Sequence, residues 1–123
     1  MSIHWILCLA ALLTTPALDI ILGLIRSKGL PVGAKYGYKT ILSLSSKEAW
    51  THAQHASGMR YVVTGIVMGI ASLLIMLSVP DSNTMNLYIF SVTLFLTQSI
   101  FEILLISSVE SELRTKFSKK AVD

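Results

Sequence analysis

The chain is poor in cysteine, proline and charge: it has one Cys and three Pro, and only 14% of its 123 residues are Asp, Glu, Lys or Arg. Each scarcity removes a class of protein. The lone thiol, Cys8, cannot close an internal disulfide and belongs to no cysteine-based zinc pattern. No lysine or arginine precedes Arg26, so the apolar N-terminus lacks the basic flank of a cleaved leader and reads as a retained span. There is no phosphate-binding glycine loop, no GxSxG elbow and no HExxH helix, so no catalytic residue is assigned and no cofactor is implied. What is abundant is apolar: 53% of the residues are hydrophobic. A domain this small has too much surface for its volume to hide that share from water. Part of its solvent must be lipid.

Three runs, 3–25, 59–79 and 87–107, approach the roughly 20 apolar residues that cross a bilayer as helix. They are continuous rather than alternating, which excludes barrel strands. The links between them differ sharply. Segment 26–58 carries Arg26, Lys28, Lys35, Lys39 and Lys47, and Arg60 stands at the mouth of the second span. The tail 108–123 carries Arg114, Lys116, Lys119 and Lys120, whereas the turn at 80–84 has no base. The positive-inside rule puts the basic loop and the tail in the cytoplasm, and the N-terminus and the turn outside. Attraction to anionic lipid accounts for the basic tail without nucleic acid.

Within the loop, Gly29, Pro31, Gly33 and Gly37 favour irregular backbone. From Ser45 the character changes: Ser45 can cap a helix and Glu48 can reach back to it. Helix is predicted up to Gly58, lying at the membrane surface with Trp50 in the headgroup belt. The expectation is therefore an all-α integral membrane protein forming one domain over 1–123. It has three transmembrane helices and a short cytoplasmic interfacial helix in its first loop. Gly65 and Gly69 form a GxxxG spacing, which serves helix packing within the chain or a homo-oligomer seam.

The loop sequence YGYKT, followed by KEAWTHAQHASG and a glycine-bearing span, resembles the Sdp immunity-protein family (SdpI-like). Gly37, Tyr38, Thr40, Ser43, Trp50, Ala53, Gln54 and Gly58 carry the resemblance over about residues 24–75. Lys39 stands where the family has arginine, which removes a planar fork suited to carboxylate or phosphate. The chain reads as a minimal three-span version. The resemblance implies protection against a secreted toxin, or membrane sequestration of a regulator. The expected partners are membrane lipids and a toxin peptide or cytoplasmic regulator.

Ionisable groups inside spans are costly and call for a reason. Asp19 and Glu102 each lie about five residues from a span midpoint, or about 7–8 Å along the helix, toward the basic side. With Thr64 they form one expected polar layer, and Ser91, Gln98 and Glu102 give the third span a polar stripe. The acids are expected either to pair with Arg26, Lys39 or Arg60, or to line a ligand pocket or an ion path with the same groups. The expected binding set is thus Gly37, Tyr38, Lys39, Thr40, Trp50, Gln54, Asp19, Glu102 and Arg60. His52 and His55, with Glu48 one turn earlier, have the spacing of a two-histidine, one-carboxylate metal cluster or simply of interfacial side chains. An alternative function is a small membrane enzyme or lipid-headgroup binder using Asp19, Glu102, Lys39 and the histidine pair.

Overall fold

A computed structural model describes residues 2–80 and 83–118. Asp81 and Ser82 of the expected outer turn, and Lys119 and Lys120 of the tail, lie outside the described residues. Three long helices account for most of the described chain: α1 (Ile3–Ser27), α2 (Lys47–Ser78) and α3 (Thr84–Leu113), the last continuing into a π-helical turn, Arg114–Ser118. All three are long and apolar enough to cross a membrane. The chain is an all-helical, multi-pass membrane protein.

Local chemistry sets the helix starts. Ser2 Oγ accepts from the Trp5 N–H at 3.2 Å, and Asn83 Oδ1 accepts from the Met85 and Asn86 N–H groups at 3.0 and 3.2 Å. Each side chain satisfies donors that a helix start leaves without an intrahelical partner. The cap of α2 is Ser46, whose Oγ accepts from the Ala49 N–H at 3.0 Å. Ser45, the expected cap, instead donates to the Leu42 carbonyl at 2.6 Å.

The expected interfacial helix is not a separate element. Residues 47–58 are the first turns of α2, which runs through Gly58 without a break. A Cβ at Gly58 would stand 2.9 Å from both the Gly23 carbonyl oxygen and the Ser27 nitrogen. Gly58 therefore acts as a point of close approach between α1 and α2, not as a helix stop. At about 1.5 Å per residue, α2 is about 48 Å long against a hydrocarbon core of about 30 Å, so it is long enough to span the core with its polar N-terminal third to spare.

Gly65 of α2 likewise seats α1, since a Cβ there would come within 2.7 Å of the Pro16 carbonyl oxygen. The small-residue spacing is thus used between helices of one chain. Pro16 sits inside α1, which continues past it. Helix α3 lies against this pair and keeps most of its surface exposed. Two apolar clusters close the bundle. One, at the end bearing the basic loop, joins Tyr38, Ala53, Tyr61, Leu105, Val109 and Leu113. The other, at the opposite end, joins Trp5, Leu12, Met76, Val79 and Leu87. Between them Gln98 donates to the Leu12 carbonyl at 3.0 Å and to Ser72 Oγ at 2.9 Å, tying all three helices together.

Candidate functional site

The loop between α1 and α2 is irregular in backbone but bound at many points to the helices beneath it. Its centre is a two-point grip. The Tyr38 N–H donates to Gln54 Oε1 at 2.7 Å, and Gln54 Nε2 donates to the Tyr38 carbonyl at 2.8 Å. One amide side chain thereby satisfies both backbone polar groups of a buried residue, as a neighbouring strand would. Ser43 adds a second brace: its Oγ accepts from the Thr40 N–H at 2.7 Å and lies 3.2 Å from the Tyr38 carbonyl. Thr40 Oγ1 in turn accepts from the Ser43 N–H at 3.2 Å.

Trp50 turns inward and is 1% exposed. Its indole N–H donates to the Leu30 carbonyl at 2.8 Å, and its ring covers Gly37. A Cβ on residue 37 would fall 2.5 Å from Trp50 Cη2, so only glycine lets the backbone lie on the ring. The expected headgroup placement of Trp50 is therefore replaced by a core position. The reason is that the 47–58 helix stands upright, with Ala49, Trp50, Ala53, Gln54 and Ser57 on its buried side.

Tyr38 reaches furthest. Its hydroxyl donates to Glu110 Oε1 at 2.8 Å and lies 3.4 Å from the Ile106 carbonyl on α3. Burial and then the bond to Glu110 hold the phenol above the ordinary tyrosine range. Lys39, the residue expected to meet Asp19 or Glu102, is exposed and makes no ion pair among the described residues. Tyr38 takes the inner side of the loop, which leaves Lys39 on the outer one.

Arg26 and Arg60 are not ion-paired to the membrane acids either. Arg26 Nε donates to the Tyr36 carbonyl at 3.0 Å, and its guanidinium lies 4.8 Å above the Tyr61 ring. Arg60 Nη2 donates to Glu112 Oε1 at 3.0 Å, and His52 Nε2 lies 2.8 Å from Glu112 Oε2. Asp19 of α1 and Glu102 of α3 do come near each other. Asp19 Oδ2, Glu102 Oε1 and Arg26 Nη1 are buried without a hydrogen-bond partner among the described residues. Thr64, expected in the same layer, makes no hydrogen bond to either acid among the described residues.

Among the described residues no group of three or more His, Cys, Asp and Glu side chains gathers as for a metal. His52 is drawn to Glu112 of α3, while Glu48 and His55 are exposed. The partners missed by sequence reasoning are Glu110 and Glu112. Their signal was Val109 and Leu113, which continue the apolar spacing of Leu105 by four residues each and carry α3 past residue 107.

These features define a class: a polytopic helical membrane protein whose first loop is a fixed structure gripped by the second and third helices. The SdpI/YfhL protein family model matches residues 33–108, from the gripped loop through most of α3. The chain belongs to that family. No curated protein and no solved structure matches it.

Proposed function

We propose that this SdpI-type protein confers immunity to a toxin or peptide, or signals, by docking a partner on the outer surface of its braced loop. The observation that carries the reading is the Gln54 grip on Tyr38, because a mere connector needs no such fixing of its backbone. The family motif then divides into two parts. Gly37, Tyr38, Ser43, Trp50, Ala53 and Gln54 are braces, and the docking surface is what they hold outward. That surface carries Lys35, Lys39 and Lys47 beside exposed apolar groups, with Ile41 92% and Tyr36 55% exposed. It suits an acidic, amphipathic segment of a toxin or regulator. In this reading the loop and the C-terminal tail face the cytoplasm, Asp19 and Glu102 stiffen the bundle beneath the loop, and the chain is not an enzyme. The headgroup-enzyme alternative requires Lys39, both acids and the histidines to converge, whereas Lys39 and His55 are exposed and His52 is held by Glu112.

The test is survival of toxin-challenged cells expressing the protein. A Lys39→Ala, Ile41→Ser double variant is expected to accumulate in the membrane normally yet lose protection. Gln54→Leu is expected to lose it as well, through a loosened loop. Full protection by both variants would remove the docking assignment.

A further inference from the structure

A cleft of about 250 Å³ opens where the end of α1 meets the outward face of α2. Lys28, Thr51 and His55 line it, and all three are exposed. Its floor is fixed: the Leu30 carbonyl is held by the Trp50 indole, and Gln54 is engaged with Tyr38. Among the described residues no carboxylate lines the cleft. The described acids of this end are committed or lie elsewhere. Glu110 binds Tyr38, Glu112 binds His52 and Arg60, and Glu48 lines a neighbouring groove with Lys47 and Lys116. The cleft thus presents an ammonium, the Arg26 guanidinium and an imidazole, with no counter-charge among its described walls.

What lies beneath it is equally specific. Leu24 stands four residues before Lys28 on α1, and Ile21 three residues before Leu24, so they continue the same face. On α2, Met59 and Val63 follow His55 at successive four-residue steps. All four are about half exposed, at 49%, 53%, 52% and 56% respectively. Two apolar lanes therefore run down from one cationic cleft into the membrane. Met59, where the apolar run of α2 begins, is only about 6 Å below His55 at 1.5 Å per residue, which sets the cleft at headgroup depth.

We propose that the α1–α2 seam binds an anionic phospholipid, with its phosphate against Lys28 and His55 and an acyl chain along Leu24, Ile21, Met59 and Val63. Charge complementarity selects the anionic headgroup, and the apolar lanes select a lipid over a soluble phosphate. The site does not depend on the loop docking any partner.

Native mass spectrometry of the full chain, released from micelles containing phosphatidylglycerol and phosphatidylcholine, tests it directly. Preferential retention of phosphatidylglycerol is expected, and Lys28→Gln is expected to reduce that preference about five-fold, the factor equivalent to about 1 kcal/mol per basic side chain at an anionic surface. Adding His55→Ala is expected to lower it further. Equal retention of both lipids, or an unchanged preference in the double variant, would overturn the proposal. Inorganic phosphate or glycerol phosphate binding as tightly as the lipid would overturn the lipid assignment in favour of a free anion. If the double variant does not accumulate, a photoactivatable phosphatidylglycerol on the wild-type chain decides. Attachment within 21–28 and 55–63 supports the site, and attachment elsewhere refutes it.

Discussion

Tyr38 and Gln54 hold the loop through backbone groups that have nowhere else to turn. In Gln54→Leu the Tyr38 N–H loses its partner inside a buried cluster. An unsatisfied buried polar group costs about 1–3 kcal/mol, so this variant is expected to open the loop by about that much. Hydrogen exchange is the measurement: the Tyr38 amide is expected to exchange far faster, with the amides of α2 within the membrane unchanged. The phenol of the same residue makes a pH prediction. Its ionisation lies above the usual tyrosine range in the folded protein, so the folded state retains a proton the unfolded chain releases. The stabilisation is fully present below about pH 10, the ordinary tyrosine value, and is lost as pH rises through the folded one. An ultraviolet titration is expected to show a late tyrosinate component that is smaller in Tyr38→Phe.

Among the elements, the close pair is α1 and α2, and it depends on residues without side chains. A Cβ at Gly58 meets backbone atoms of α1, which cannot swing aside. Gly58→Ala is therefore expected to push the helices apart and to cost about 1–3 kcal/mol, in the range of overpacked cores. Gly69→Ala serves as the contrast, since its added carbon meets only Pro16 Cβ, at an ordinary 3.5 Å. Thermal unfolding in detergent is expected to show a clear drop for the first variant and little change for the second. The same contact explains why α2 is one long helix. Glycine after a helical stretch reads locally as a stop, yet here helix–helix approach outweighs its poor helix propensity.

For the whole molecule, the distribution of bases ties orientation to the loop. With Cys8→Ser as background, Met85→Cys, 65% exposed, is expected to react with a membrane-impermeant thiol reagent on intact cells. Ser45→Cys, also exposed, is expected to react only after permeabilisation. The reverse pattern would place the loop outside and rule out a cytoplasmic partner. At this scale the division of apolar surface also falls into place. Large exposed side chains such as Ile70, Leu74 and Phe101 lie along the spans, where lipid is the solvent.

Much of this protein was legible in its sequence. Three continuous apolar runs, the bases clustered in one loop and the tail, and the ordered Gly-Tyr-Lys-Thr, Ser, Trp and Ala-Gln positions are local patterns. They determine spans, a loop and a family without reference to distant residues. The acids Asp19 and Glu102 were also recognisable, because charge within an apolar run is conspicuous. The tertiary structure decided which way side chains turn and whom they meet. Trp50 faces the loop rather than lipid because α2 stands upright, and Lys39 points away because Tyr38 takes the inner side. Arg60 and His52 are held by Glu112, from the far end of the chain. Those choices follow from helix packing and from satisfying buried polar groups across long separations, which no local pattern encodes.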